Sequence, residues 1–424
     1  MLKKILCFLL RILAQLTLWR YKPQIIGVTG SVGKTSTKEA IYTVLRTKYS
    51  VRCNKKNYNN EIGVPLTILN QETGGKSLWL WLKTILISFF GILYSKDYPE
   101  ILILEMGADR WGDIAYLTSF IKCHVAVITA IGEVPVHVEN FQNPAQVVKE
   151  KANLVKGLTK DDWAVLNFDD SRVRTMAERT RAQIFYYGFD EKADLRISFL
   201  EQHLEDLSDV SLSFKVDYQG SNIPVRIPNL LGQHQAYSLL AAIAVGLIFK
   251  INLVDIAEAL KEYRPVAGRC RLLRGIKGSW IIDDTYNASP SSTLAALEIL
   301  KQVKGRKIAV LGDMLELGSF TEEAHRQVGL AATETADWLL AVGERSIFII
   351  DEAEKKGLSE ERIRHFVSSE EAGRFLQEII MPEDVILVKG SQGMRMEKVV
   401  KEIMATPEKA QQLLVRQDEA WLKK

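Results

Sequence analysis

The stretch Gly27-Val28-Thr29-Gly30-Ser31-Val32-Gly33-Lys34-Thr35-Ser36 holds the densest chemistry in the chain. A short apolar run over 25–29 enters a glycine turn, and residues 34–46 then read as a helix. Such a turn aims backbone N–H groups at the helix N-terminus, where a polyphosphate binds. Lys34 can reach β- and γ-phosphate oxygens, and the Thr35 hydroxyl can ligate Mg²⁺. ATP contacts are therefore expected at Gly30, Ser31, Val32, Gly33, Lys34, Thr35 and Ser36. The generic pattern wants glycine at 28, where this chain has valine; its glycine stands one place earlier. A glycine turn can precede a helix by chance, but the strand-turn-helix context and the Gly-Lys-Thr triplet favour the phosphate loop.

A phosphate loop does not choose among kinases, GTPases and ligases. Further polar motifs follow it: Asn59-Asn60-Glu61-Ile62-Gly63-Val64-Pro65, Glu105-Met106-Gly107-Ala108, His137-Val138-Glu139, Lys151, Gly232-Gln233-His234 and Gly268-Arg269. The series continues with Asp283-Asp284-Thr285-Tyr286-Asn287-Ala288, Leu311-Gly312-Asp313-Met314-Leu315-Glu316-Leu317-Gly318 and Lys389-Gly390-Ser391. In this order, over residues 24–400, the chain resembles the Mur ligase family, in its D-alanyl-D-alanine-adding branch. The resemblance implies ATP-dependent amide-bond formation through an acyl phosphate, with a muramoyl-tripeptide donor and D-alanyl-D-alanine as partners and ATP and Mg²⁺ as cofactors.

The resemblance also implies roles. Glu105 matches a magnesium-binding glutamate at the end of an apolar strand, where ligands of α/β sheets bind. His137 matches a histidine holding a second magnesium, and Lys151 a lysine that carries a carbamate; Lys149 lies close enough to compete for that match. A carbamate supplies the oxygen ligands and negative charge that a hard cation prefers. Arg269 matches an arginine reaching the γ-phosphate, and Asp284 an ATP-contacting carboxylate. His234, Tyr286 and Asn287 fall in nucleotide-contact segments, with His234-Gln235 standing where the family has His-Asn. Catalysis is thus expected at Lys34, Lys151, His137 and Arg269. Metal ligands are expected at Thr35, Glu105, His137 and carbamylated Lys151. Substrate contacts are expected at Asn59, Asn60, Asp313 and Glu316. For Glu105 the plain alternative is a strand-end structural role, and for Asp313 and Glu316 a solvated loop.

These residues need a scaffold. Apolar runs at 101–105, 125–129 and 164–167 alternate with helical stretches such as 34–46 and 143–157, predicting a parallel sheet with helices on both faces. Residues 184–227 alternate in polarity and predict antiparallel strands attached to that sheet. A second αβ series begins near Arg264, with strands at 280–283, 307–311, 338–342 and 385–388. The expected class is α/β: a central phosphate-loop domain over 24–263 with a parallel sheet, then a Rossmann-like domain over 264–424, with 1–23 as an amphipathic helix.

Composition agrees. The 424 residues are 47% hydrophobic and 25% charged, a globular balance. A net charge of +3 gives no support for nucleic-acid binding. Cys7, Cys53, Cys123 and Cys270 form no CxxC pair, which fits reduced thiols in a cytoplasmic protein; a monomer is expected. The branch usually carries an N-terminal uridine-binding domain, and residues 1–23 are too few for one.

Two apolar segments stand outside this scheme. Leu2, Ile5, Leu9, Ile12 and Leu16 recur at helical spacing in the first, interrupted by Lys4 and Arg11. Leu78–Tyr94, LWLWLKTILISFFGILY, is almost wholly apolar. A single crossing there would put the phosphate loop and Glu105 on opposite sides of a membrane. The segments are expected either to lie on the inner membrane face or to pack on the protein's own body. The competing functions are a Mur-type ligase with a different donor or acceptor and a non-catalytic membrane-associated scaffold.

Overall fold

The computed structural model describes residues 2–55, 58–133, 135 and 138–422. Its first sheet contains nine strands: β1 (Gln24–Thr29), β2 (Val51–Cys53), β3 (Ile101–Glu105), β4 (Val125–Ile128), β5 (Trp163–Asn167), β6 (Gln183–Gly188), β7 (Leu195–His203), β8 (Ser211–Tyr218) and β9 (Ser221–Pro228). They lie in the order β2-β3-β1-β4-β5-β6-β7-β8-β9. Pairing is parallel as far as β7 and antiparallel from β7 to β9.

The apolar runs follow from two-sided burial. Along β1, Ile26 and Val28 face a core under helices 34–45 and 235–248, while Ile25 faces the opposite core. In β3, Ile101 and Ile103 face the first core and Leu102 and Leu104 the second. A strand covered on both faces has no polar face, so its sequence reads as one apolar block. One expectation is corrected here. The first strand of the 184–227 region, β6, runs parallel to β5, because the chain returns to the same sheet edge through the helical turns at Ser171–Arg174 and Thr175–Arg179.

The second sheet has six strands: β10 (Arg271–Arg274), β11 (Trp280–Asp284), β12 (Lys307–Gly312), β13 (Trp338–Val342), β14 (Ile363–Phe366) and β15 (Val385–Lys389). Their order is β10-β11-β15-β12-β13-β14, parallel except for β10 against β11. Alternate residues again divide between two cores, Ile282, Ala309 and Leu387 on one side, Ile281, Ile308 and Ile386 on the other.

Four helices before β3 matter below: α1 (Leu2–Tyr21), α2 (Lys34–Leu45), α3 (Gly63–Leu69) and α4 (Leu78–Tyr94). The apolar segment at 78–94 is α4, packed beside α1, which in turn packs on α3. Among the described residues, no helix is long and apolar enough to cross a membrane.

Candidate active site

The C-terminal ends of β1, β3, β11 and β15 converge, as expected for ligand sites in open α/β sheets. Beyond β1 the chain turns at Gly30 and Gly33. A Cβ on Gly30 would lie 1.9 Å from Thr129 Oγ1, and Gly33 holds φ +86°. Gly33 caps α2 without any side chain accepting from the first-turn N–H groups. Those donors therefore remain available to an anion. Thr35 and Ser36 follow on the first turn, both buried.

A Gly30→Ala substitution tests this cradle. The added methyl collides with Thr129, whose hydroxyl donates to Val32 O at 2.6 Å and so pins the loop. ADP affinity, read by calorimetry, should fall about ten- to a hundredfold, the effect of roughly 1–3 kcal/mol of local strain. Unchanged affinity would remove the loop from the nucleotide site.

Lys34 Nζ lies within its own loop, donating to Gly30 O at 2.9 Å and Ser31 O at 3.4 Å. Its surface is partly accessible, but the ammonium lies deep in the cleft. Desolvation draws its pKa below the usual lysine value, opposed by Glu105. Lys151 is fully buried and donates to the same Gly30 O at 2.9 Å. Burial, reinforced by the Lys34 charge, draws its pKa well below the ordinary value.

Glu105 is buried at the end of β3. Its Oε1 accepts from Asn59 Nδ2 at 3.2 Å, while its backbone N–H donates to Asn54 Oδ1 at 2.6 Å. The buried Lys38 ammonium holds Asn54 through the carbonyl, at 2.7 Å. Asn60 accepts from the N–H groups of Ile62 and Gly63, starting α3, so its side-chain oxygen is engaged locally.

From the second half of the chain comes Arg269, whose guanidinium stacks 3.9 Å from the centre of the Tyr286 ring. Asp284 accepts from Lys389 Nζ at 2.5 Å, and Lys389 also donates to Asn287 O at 2.9 Å. Neighbouring Asp283 takes hydrogen bonds from Gly268 N and Thr285, and burial pushes its pKa up to about 6. His234 is enclosed 4.0 Å from Cys270 Sγ, and desolvation lowers its pKa, favouring the neutral ring.

These groups border two adjoining cavities. The larger, about 440 Å³, is bounded by Gly33, Ser36, Asn167, His234 and Asp284. The smaller, about 230 Å³, is bounded by Ser31, Lys34, Asn59, Glu105, Lys151 and Tyr286. Arg269 and Val32 border both. Ser31 Oγ and Arg269 Nε are buried without hydrogen-bond partners, so phosphate oxygens between them would satisfy both.

The donor set also suits Mg²⁺, which takes one or two protein oxygens and fills the rest of its shell with phosphate and water. Glu105 and Thr35 would hold it. Among the described residues, no three His, Cys, Asp or Glu side chains cluster as a metal cage. His137 lies outside the described residues.

Two expected substrate contacts lie apart from both cavities. Asp313 Oδ1 accepts from Ser346 N at 2.8 Å, a backbone-capping position. Glu316, at φ +64°, accepts through its carbonyl from Glu139 N at 3.3 Å. Lys389 stands in one of the quoted motifs but without a role, and Asn54 is a site residue that motif reading does not select. A lysine closing the apolar run of β15 was the available signal for the first; nothing local marks the second.

Comparison with known proteins agrees with this geometry. The family described as Mur ligase middle domain matches residues 28–81 and 87–246. The one described as Mur ligase, glutamate ligase domain, matches 268–392. The UDP-N-acetylmuramoyl-tripeptide–D-alanyl-D-alanine ligase of Bacillus subtilis is 30% identical over 398 residues, covering 93% of this chain and 79% of the relative. The crystal structure of MurF ligase from Thermotoga maritima in complex with ADP superposes with a TM-score of 0.76 at 27% identity, covering 93% of this chain and 83% of that one. A MurF structure from Acinetobacter baumannii gives a TM-score of 0.77 at 25% identity, covering 92% and 79%. With its middle region matched across the phosphate loop and its later region across Arg269 and Lys389, the chain belongs to the Mur ligase family.

Proposed function

We propose that this protein is an ATP-dependent ligase that joins D-alanyl-D-alanine to a muramoyl-tripeptide in peptidoglycan synthesis, working in the cytoplasm at the inner face of the membrane. The observation that carries the reading is the meeting of Lys34, Glu105, Lys151 and Arg269 around one cavity. These side chains come from both halves of the chain, divided near residue 263.

In this reading a donor carboxylate oxygen attacks the γ-phosphorus of ATP and ADP leaves. The amine of the dipeptide then attacks the acyl carbon and inorganic phosphate departs, the amine's surplus proton passing to solvent. Mg²⁺, when bound, neutralises phosphate charge. Lys34 and Arg269, which both border the smaller cavity, would lower the cost of the charge that develops on the phosphates in transfer. The Asn54–Glu105–Asn59 network fixes the Glu105 carboxylate before substrate arrives. The depressed pKa of Lys151 favours a neutral amine, the form that adds to CO₂ to give a carbamate and a proton. His234, Asp284, Tyr286 and Asn287 are assigned to the nucleotide. Asp313 and Glu316 act on the acceptor side only through the loop that they order.

The test is phosphate release from ATP with UDP-muramoyl-tripeptide and D-alanyl-D-alanine, with product mass determined. The expected product has the mass of donor plus dipeptide minus one water, and its formation requires both. Hydrolysis indifferent to the dipeptide would defeat the ligase reading; no release with any nucleotide- or lipid-linked muramoyl peptide would favour a scaffold.

A further inference from the structure

Helix α4 is apolar on both sides, with Trp81, Ile85 and Ile92 packing inward against the cluster of Leu10, Leu13, Leu66 and Leu69. The buried residues of α4 are the hydroxyl-bearing Thr84 and Ser88, with Ser88 Oγ bonded back to Thr84 O at 2.7 Å. Its outward stripe is Trp79, Leu82, Leu86, Phe89, Phe90 and Leu93, each 46% exposed or more. Beside it α1 is apolar on two sides. Leu10, Leu13 and Ala14 face the protein, while Leu2, Ile5, Leu9, Ile12, Leu16 and Trp19 face outward at spacings of three and four. Among the described residues, seventeen of the twenty-five exposed large apolar side chains lie on these two helices. A soluble monomer rarely leaves so concentrated an apolar area uncovered.

The face is firmly built. Tyr21 stacks on Tyr98 at 4.5 Å and donates to Ser95 O at 2.8 Å, tying the end of α1 to the end of α4. Leu10, Leu13, Leu66 and Leu69 form one cluster between α1 and α3, against which Tyr58, Ile62 and Trp81 pack. Tyr58 and Ile62 flank Asn59 and Asn60, and Lys3 pairs with Glu61 at 2.9 Å. The apolar face and the Asn59 wall of the smaller cavity therefore share a single support.

Charge identifies what covers this face. Neither helix contains an acidic residue, whereas Lys4, Arg20 and Lys83 are exposed on them. Two copies meeting through this face would oppose cation to cation. An anionic bilayer offers both halves of the complement: hydrocarbon for the stripes and headgroup charge for the lysines and arginine. Exposed Trp19, Trp79 and Tyr94 are of the type that settles at the headgroup boundary.

We infer that α1 and α4 form an interfacial docking surface for an anionic lipid bilayer, entered from one side without spanning, which holds the Asn59–Asn60 wall of the cleft next to the membrane. This deepens the inner-face placement proposed above and rests on it, but not on the ligase reaction. The test is flotation of the full-length protein with vesicles of phosphatidylglycerol and phosphatidylethanolamine, compared with phosphatidylcholine alone, at low and high salt. The expected result is roughly tenfold tighter binding to the anionic vesicles, weakening with salt. Leu86→Glu/Phe90→Glu should lose flotation while keeping ADP affinity, which shows that it is folded. Lys4→Glu/Lys83→Glu should lose only the preference for anionic lipid. Equal flotation of wild type and Leu86→Glu/Phe90→Glu, or no flotation of wild type, overturns the proposal. A wild-type dimer in lipid-free sedimentation that Leu86→Glu/Phe90→Glu makes monomeric, without vesicle binding by either, assigns the face to a second copy instead. Because the readout needs no turnover, failure of the ligase reading would leave this result intact.

Discussion

Lys34→Met should lower turnover by about a thousandfold while the melting temperature stays within about 3 °C of wild type. The two halves of this expectation come from one geometry. The Lys34 ammonium rests on two carbonyls of its own loop, and desolvation already opposes its charge. Met keeps the stem and removes the charge, so the fold loses two weak hydrogen bonds and is relieved of a poorly solvated cation. These effects are each about 1 kcal/mol and opposite in sign. During phosphoryl transfer the balance differs, because negative charge grows on oxygens that the ammonium faces. Loss of one such preorganised donor costs about 3–4 kcal/mol of transition-state stabilisation, which is two to three orders of magnitude in rate.

Steady-state kinetics with calorimetric ADP binding would check this, since the loss should fall on kcat more than on nucleotide affinity. Arg269→Met should behave alike in direction, but it also removes the stack on Tyr286 and so should lower stability slightly. Full turnover by Lys34→Met would remove the loop from catalysis, whatever else binds there.

The legible parts of this protein were those whose physics is local. The phosphate loop could be read because strand, glycine turn and helix start lie within one short segment, and two-sided burial makes β1, β3 and β4 continuous apolar runs. The short edge strands β2, β10 and β14 were not legible, because three or four residues carry little periodicity. The parallel setting of β6 was also hidden, since its alternation matches an antiparallel strand and only the return crossover decides. In α4 the apolarity is plain, but which side faces outward depends on α1 packing beside it. Asp313 stands out by its place in a motif, whereas its bond to Ser346 N depends on a helix start 33 residues later. The support beneath Tyr286 comes from further still. Arg416 donates to the Thr285 and Tyr286 carbonyls and pairs with buried Glu397 at 2.8 Å, a convergence that no short segment displays.

Lys389→Met is the substitution expected to cost most in stability. Lys389 and Asp284 are both buried, joined at 2.5 Å across adjacent strands β15 and β11. Removing the cation leaves an enclosed carboxylate held by the Cys270 N–H, at 3.1 Å, and the neighbouring Cys270 thiol, neither of which carries charge to offset its own. Breaking one side of a buried pair costs about 3–5 kcal/mol, most of it the stranded charge. In a protein of 424 residues that lowers the melting temperature by roughly 3–6 °C. Lys389 also holds the Asn287 carbonyl, so the 284–287 loop should shift and ADP affinity should fall along with stability. Asp284→Asn alone removes the anion and leaves a buried ammonium that can still donate to Asn287 O, so it should cost less. The double variant separates pair from site. If the cost of Lys389→Met is mainly the unpaired Asp284, adding Asp284→Asn should restore about half or more of the lost stability while ADP affinity stays low. Additive losses in the double variant would show instead that each residue supports the loop independently, and that the pair is a consequence of the fold rather than the strut that holds Asp284 and Asn287 at the cavity wall.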